Sequence, residues 1–178
     1  MIATKNTPYY LIAIGLFIFL KFCFKLADND SLAFLLFPTD KFVGLLTSSK
    51  SVYFSDKGYY HERLNILIEK SCSGFNFMLL CFSMLSFLVL KYANKPLHKA
   101  LIIPAVLVLA YILTIFVNAS RIVASIIIQN QVVNFLPQRS HSSLHESIGV
   151  TTNLLFLIFI YFLMKRILNN HHRNEKPS

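Results

Sequence analysis

The sequence is poor in charge, glycine, tryptophan and cysteine, and these shortages exclude several classes of protein. Only 14% of the 178 residues are charged, where about 25% is usual for a soluble domain. Five glycines exclude a collagen-like repeat, and three cysteines are too few for a disulfide framework. Because 55% of the residues are apolar, the chain is not disordered either. An ordinary soluble domain is therefore disfavoured, and the bilayer is the natural solvent for the apolar residues.

The apolar residues are concentrated in four blocks, each close to the roughly 17 residues that a membrane-spanning helix requires. We predict an all-α polytopic membrane protein, with residues 1–178 forming a single integral membrane domain. The first block has no small-residue cleavage site after it, so we interpret it as a retained span and not as a removed signal peptide. The predicted spans cover residues 9–24, 74–90, 100–117 and 148–164.

Other apolar stretches do not fit a simple span. Residues 32–37 and 42–46 are too short, and Pro38-Thr39-Asp40 separates them. Ile122–Leu136 is longer, but four polar residues interrupt it, which disfavours exposure to lipid. We predict a re-entrant or interfacial helix here, or a span packed inside the protein. A full span would reverse the direction of the last helix relative to its basic tail. The interrupting residues are Gln129, Asn130, Gln131 and Asn134.

Basic residues set the expected orientation, because Lys and Arg favour cytoplasmic loops. The short loop Lys91–Lys99 and the tail at residues 165–178 are basic. With both termini inside, the cytoplasmic segments hold eight Lys/Arg and one acid, and the remaining chain holds nine and seven. Residues 26–73 and 118–147 are then extracytoplasmic. The net charge of +9 thus indicates a lipid bilayer as partner, and we expect no nucleic acid.

A small extracytoplasmic hairpin is predicted before the second span. The β-prone runs Ser51–Ser55 and Tyr59–Ile68 flank Asp56-Lys57-Gly58, which is typical of a hairpin turn. Ile66 and Ile68 alternate with Leu67 and Glu69 as the chain approaches Cys72. We therefore expect a strand to deliver Cys72 to the mouth of the second span.

Cys72 lies in Ser71-Cys72-Ser73-Gly74, where the polar chain becomes a membrane helix. Ser71 or Ser73 is a suitable cap for that helix. A cysteine in the first helical turn lies near the positive end of the dipole, which favours the thiolate. The alternative is a small apolar residue at a helix start. The other two cysteines are inside apolar blocks and are interpreted as structural: Cys23 and Cys81.

Arg121 and two histidines are the other candidates for chemistry. Arg121 lies between two apolar stretches. It is interpreted either as an interfacial arginine that snorkels to the membrane surface or as a fixed cation for a thiolate or oxyanion. His141 and His145 are spaced i, i+4, which allows metal binding with a third ligand from elsewhere, such as Glu146 or His61. Alternatively His145, just before the last span, is a general acid/base. The other histidines are interpreted as solvated loop or tail residues: His61, His98, His171 and His172.

Three motifs occur in an order that resembles the exosortase/archaeosortase family, most closely its small exosortase K type. They are Ser71-Cys72-Ser73-Gly74, Asn118-x-x-Arg121-Ile122 and His145-Glu146-x-x-Gly149. Their thiol, guanidinium and imidazole are predicted to lie at helix ends on one membrane face, and acyl chemistry uses this set of groups. The resemblance covers roughly Ser51–Leu168. Residues 1–50 show no match to the family's motifs.

The resemblance implies a membrane-embedded cysteine protease/transpeptidase of the bacterial cytoplasmic membrane, with its active site on the extracytoplasmic face. Its partners would be exported proteins that end in a short motif, a transmembrane helix and a basic tail. By the same resemblance Cys72 is the nucleophile, His145 the general acid/base and Arg121 the charge stabiliser. Asn118 is a candidate substrate-binding residue. We expect no cofactor and no metal.

Two other classes remain open from the sequence. A non-enzymatic membrane scaffold or assembly factor needs no special reactivity at Cys72. A metal-binding membrane protein or transporter would use His141 and His145. The transporter lacks ionisable residues deep in the predicted spans, where a translocation path needs them.

Overall fold

The computed structural model describes the backbone of residues 3–92, 96–132 and 140–174, and the side chains of residues 6–92, 99–128 and 147–170. Two compact units share these residues. Unit 1 comprises Met1–Leu26, Asn76–Ile112 and Leu157–Ser178, and unit 2 comprises Ala27–Phe75 and Leu113–Phe156. In chain order the elements are α1 (Ala3–Leu26), α2 (Ala33–Thr47), β1 (Val52–Phe54), β2 (Gly58–His61), β3 (Ile66–Ile68), α3 (Phe75–Tyr92), α4 (Pro96–Val132) and α5 (Ser140–Asn174).

Four helices, α1, α3, α4 and α5, are long and apolar enough to cross a membrane. Each contains one predicted span, so the prediction of four membrane-spanning helices is confirmed at the level of length and composition. Burial differs strongly among them. In the most apolar 18-residue stretch of α3, 67% is buried inside the protein, whereas in that of α1 only 6% is buried. Large apolar side chains that a soluble protein would bury therefore face outward along α1, as expected for contact with lipid.

The prediction of a separate re-entrant or interfacial helix at Ile122–Leu136 is wrong as far as the described residues show. Helix α4 continues without a break from Pro96 through Pro104 to Val132. The polar residues from Gln129 onward do not interrupt it, because helix formation requires hydrogen-bonded backbone and not apolar side chains. At 1.5 Å per residue, α4 is about 55 Å long, well beyond the roughly 30 Å of a hydrocarbon core. Residues 133–136 lie outside the described part of the chain.

Helix α2 joins the two short apolar runs that Pro38 separates in the sequence, so this proline does not end the helix. An interior proline costs about 3 kcal/mol. The helix buries Leu35, Leu36 and Val43 completely, and each such side chain contributes about 1.5–3 kcal/mol. Burial of this face therefore outweighs the proline. The helix ends where Ser48 adopts a left-handed conformation and the N–H of Ser49 returns to the carbonyl of Gly44.

A three-stranded antiparallel sheet in the order β1-β2-β3 follows α2. Tyr53 pairs with Tyr59 between β1 and β2, and Tyr59 pairs with Ile68 between β2 and β3. The run Tyr59–Ile68, which the sequence analysis treats as one strand, is interrupted by a 3-10 turn at Glu62–Leu64. That turn reverses the chain, so a second hairpin forms and β3 leads directly toward Cys72.

Within unit 1, single polar side chains connect apolar helices. The amide of Asn6 in α1 donates to the carbonyl of Leu90 in α3 at 3.0 Å. The ammonium group of Lys99 in α4 donates to the side-chain oxygen Oδ1 of Asn6 at 2.5 Å. Both Asn6 and Lys99 are buried. An unpaired polar group in an apolar environment is costly, so these contacts specify which helix positions face each other.

Candidate active site

Cys72 lies in a 3-10 turn, Lys70–Cys72, and not in the first turn of α3 as predicted. Its N–H donates to the carbonyl of Glu69 at 2.8 Å. Gly74 then takes a φ of 73°, and α3 begins at the next residue. The hydroxyl of Ser73 accepts a long bond of 3.4 Å from the N–H of Phe75. This contact matches the predicted cap, but the thiol precedes the helix.

Asn118 of α4 fixes this turn. Its side-chain N–H donates to the carbonyl of Cys72 at 2.5 Å. A Cβ atom on Gly74 would lie 2.9 Å from Cγ of Asn118 and 3.0 Å from Cγ2 of Thr114, and the positive φ also disfavours any other residue. Gly74 therefore permits both the turn and the close approach of α4. The Cys-Ser-Gly motif and the Asn-x-x-Arg motif are in direct contact.

Arg121 lies one turn beyond Asn118 on α4 and contacts α5. A Cβ atom on Gly149 would lie 3.6 Å from both Cδ and Nη1 of Arg121. Gly149 is buried, and the Arg121 side chain is half-buried. Position 149 therefore lies directly against the guanidinium, at a distance where an added Cβ would make an ordinary van der Waals contact. The second and third sequence motifs are therefore also in contact, within unit 2.

Arg121 has no hydrogen-bond or ion-pair partner among the side chains that the structure describes. Three carboxylates of unit 2 are already engaged. Asp28 accepts from Ser31, whose hydroxyl and N–H hold the pKa of Asp28 below its ordinary value. Asp30 accepts from the hydroxyl of Tyr53, and this bond raises the pKa of Tyr53 to about 12. Asp40 is paired with His61.

His145 and His141 belong to α5, but their side chains lie outside the described residues. Helical geometry places position 145 on the same face as Gly149, because residues four apart lie above one another. Position 145 is therefore on the face that includes the Arg121 contact. Among the described side chains, no group of three His, Cys, Asp or Glu residues is arranged to hold a metal ion.

The three cysteines differ in their surroundings. Cys81 is fully buried in α3, and Cys23 is exposed on α1. Both lie within apolar helices, and burial supports the interpretation of Cys81 as structural, whereas Cys23 contributes nothing to a protein core. Cys72 is half-buried, and its sulfur lies 3.7 Å from the hydroxyl of Ser71. Cys72 also lines a cavity of about 170 Å³ together with residues of β3 and α4.

The sequence analysis missed two polar residues of α4 that belong to this region. Thr114 contacts Gly74, and Ser125 lines the cavity beside Cys72. Both are buried. A signal for them exists in the sequence, because Thr114, Asn118 and Ser125 are spaced by four and seven residues within an apolar helix. That spacing places them on one helix face.

The interpretation of His61 as a solvated loop residue is wrong. Its side chain is fully buried, with Nδ1 at 2.8 Å from the hydroxyl of Ser49 and Nε2 at 2.9 Å from Oδ1 of Asp40. The contact with Asp40 is close but is not an aligned hydrogen bond. The hydroxyl proton of Thr47 is used in a bond to the carbonyl of Val43, so in the contact between the two hydroxyls Ser49 is the donor and Thr47 the acceptor. The Ser49 hydroxyl therefore accepts its other bond from Nδ1 of His61. The Ser49 hydroxyl is thus buried and engaged, which favours a structural role over a catalytic one.

No family model, curated protein or solved structure matches this chain. The chemistry must therefore be argued from the groups themselves. A half-buried thiol lies in a turn that Asn118 of α4 holds, and Arg121, which has no partner among the described side chains, lies one helical turn beyond Asn118 on α4. Such an arrangement suits attack on a carbonyl group, with a nearby cation available for the developing negative charge.

Proposed function

We propose that the protein is a membrane-embedded cysteine protease/transpeptidase that cleaves a C-terminal sorting signal of exported proteins. The observation that carries the proposal is the bond between Asn118 and the carbonyl of Cys72, at 2.5 Å. It joins two motifs that are 46 residues apart in the sequence and fixes the backbone of Cys72, whose thiol is half-buried. A scaffold protein has no need for a rigid thiol at this position.

The proposed reaction forms a thioester. The Cys72 thiolate attacks a substrate carbonyl, and the resulting oxyanion is stabilised by the guanidinium of Arg121. His145 takes the proton of the thiol and passes it to the leaving amine as the C–N bond breaks. An incoming amine or water, deprotonated by His145, then attacks the thioester and releases Cys72. Amine attack gives transpeptidation, and water gives hydrolysis.

The length of α4 supports a site at the membrane surface. Lys99 and Arg121 are 22 residues apart on one continuous helix, which is about 33 Å at 1.5 Å per residue. The hydrocarbon core of a bilayer is about 30 Å thick. If Lys99 lies at the cytoplasmic surface, as the basic loop indicates, Arg121 reaches the extracytoplasmic surface. We infer that Cys72, held by Asn118, acts on substrates at that surface of a bacterial cytoplasmic membrane.

The substrates of this proposal are exported proteins with a short motif, a transmembrane helix and a basic tail at their C-terminus. Such a protein remains in the membrane after export, and its basic tail stays on the cytoplasmic side. The peptide bond just before its transmembrane helix is then held at the depth we propose for Cys72. Cleavage there would separate the exported domain from its anchor.

Replacement of the nucleophile tests the proposal. Cys72→Ala is expected to abolish processing of such exported proteins, with a loss of at least about 10³-fold in rate, because no thioester can form. The gene is deleted in the source organism and restored as wild type or variant. Immunoblots then measure the ratio of anchored to cleaved exported protein.

Cys81→Ala and Cys23→Ala are matched controls, since each removes one thiol outside the proposed site. Both are expected to process substrate within about threefold of wild type, because neither contributes a reacting group. Variant abundance in the membrane is measured in parallel. Normal processing by an abundant Cys72→Ala protein would refute the enzyme and favour the scaffold.

A further inference from the structure

A cavity beside Cys72 lies at the edge of the sheet. Its volume is about 170 Å³, and its walls are Ile66–Ile68 of β3, Cys72, and Ile122, Ser125 and Ile126 of α4. Among the side chains that the structure describes, no charged one lines it. An engineered apolar cavity of about 150 Å³ binds benzene, so this cavity has room for one aliphatic side chain.

The lining residues show that the cavity follows the edge of β3 and not one of its faces. Successive side chains of a strand point to opposite faces, yet Ile66, Leu67 and Ile68 all border the same space. In the sheet order β1-β2-β3, β3 pairs only with β2. Among the described residues its other edge has no strand partner, and an edge strand turns the N–H and C=O groups of alternate residues outward. These groups are available to an added strand.

Asn118 provides a second unused hydrogen-bonding group next to Cys72. Its side-chain N–H binds the carbonyl of Cys72, but its carbonyl oxygen Oδ1 is buried without a hydrogen-bond partner among the described residues. A buried acceptor without a donor costs about 1–3 kcal/mol. Asn118 is not among the described residues that line the cavity, so this oxygen belongs to the Cys72 turn and not to the cavity wall.

We propose that an extended peptide binds along the free edge of β3 as an additional strand and places one aliphatic side chain in the cavity. This inference rests on the proposed function, since the peptide is the substrate segment that precedes the scissile bond. A lipid acyl chain would fill the cavity equally well, but it has no N–H or C=O groups for the strand edge. The polar groups at the site therefore favour a peptide.

A pair of thiol reagents tests this inference on the wild-type protein in lipid nanodiscs. Acetyl-Ala-Leu-Ala chloromethyl ketone presents a short peptide, and chloroacetone presents the same electrophile without one. In both, the thiolate forms a C–S bond and chloride leaves. Mass spectrometry measures the rate at Cys72. The peptide reagent is expected to label Cys72 at least tenfold faster, and backbone N-methylation of its leucine is expected to remove most of that advantage.

Two variants of α4 locate the binding site. Ile126→Trp fills the cavity and is expected to lower labelling by the peptide reagent at least tenfold, with the chloroacetone rate within about twofold of wild type. Ile127→Trp is the matched control, because Ile127 is the next residue and its side chain is 53% exposed. It should leave both rates unchanged. Equal labelling by the two reagents in the wild type would overturn the inference.

A second measurement does not depend on the reactivity of the thiol. In Cys72→Ala protein, acetyl-Ala-Leu-Ala-amide is expected to slow hydrogen exchange in the segment Ile66–Ile68 at least threefold, and the N-methylated peptide is not. Unchanged exchange would overturn peptide binding at β3. A Cys72 that resists chloroacetone in the wild type would instead contradict the proposed function, so the two failures are distinguishable.

Discussion

Units 1 and 2 use polar side chains in different ways. In unit 1 they connect helices one at a time, as when Lys99 donates to Asn6. In unit 2 they occur in groups, as when Ser49, His61 and Asp40 form one buried chain. The first pattern orients apolar helices, whereas the second holds a compact loop-and-strand region in one conformation.

The same difference separates the cysteines. Cys23 and Cys81 belong to unit 1 and lie within regular helices. Cys72 belongs to unit 2, in a short turn between β3 and α3, and Asn118 holds its carbonyl. A regular helix satisfies the hydrogen-bonding groups of its own backbone, while a turn needs hydrogen-bond partners from other segments. Unit 2 therefore contains both the candidate nucleophile and the contacts that fix it. Substitutions at its polar contacts are expected to have the larger effects.

The largest effect on stability is expected at His61. His61→Ala removes the buried partner of the Asp40 carboxylate and leaves it the exposed Lys41, at 3.9 Å; loss of a buried partner of a charged group costs up to about 3–5 kcal/mol. The midpoint of thermal unfolding in detergent should fall accordingly. Hydrogen exchange should accelerate in β1, β2 and β3 of unit 2 before it accelerates in α1 and α3 of unit 1.

A double replacement separates charge from packing at this site. Asp40→Leu with His61→Phe removes both partners and keeps apolar volume, so it is expected to cost less than His61→Ala alone. An unchanged unfolding midpoint in His61→Ala would show that the pair does not stabilise unit 2. A double variant less stable than His61→Ala would show that hydrogen bonding to Ser49 matters more than the ion pair.

Alanine substitutions at two glycines of unit 2 are expected to have smaller effects on stability, and the two effects should differ from each other. Gly74→Ala forces an alanine into a φ of 73° and within 2.9 Å of Asn118, which should cost at least about 1–3 kcal/mol and displace the Cys72 turn. Gly149→Ala places its Cβ 3.6 Å from Arg121, an ordinary contact, and should be neutral or stabilise by up to about 1 kcal/mol, because alanine favours the helix. Chloroacetone labelling of Cys72 and unfolding midpoints measure both. Equal effects of the two substitutions would contradict this account of the Cys72 turn.

The spans were predictable because length and hydropathy decide them locally, whereas tertiary contacts were not. The block at residues 74–90 indicates α3 without knowledge of any other segment. His61 was misread because its burial depends on Asp40 and Ser49, which no local pattern connects to it. The continuity of α4 is not predictable from hydropathy, because the polar residues after Ile128 end the apolar stretch without ending the helix. The contact of Gly74 with Asn118 likewise joins distant segments, so the sequence indicated both motifs but not their contact.

The smallest expected effect concerns Asp28, which is exposed at the start of unit 2 and accepts from the N–H of Ser31 at 2.8 Å. Bonds from Ser31 lower the pKa of Asp28 below 3.8, so the ionised form is favoured in the folded protein. Its stabilisation is present above pH 3.8 and is lost as the pH falls through the lower folded pKa. Asp28→Asn should therefore lower the unfolding midpoint slightly at neutral pH, and the difference from wild type should shrink in acid. A difference that stays constant with pH would show that the side-chain amide, and not the charge, accounts for it.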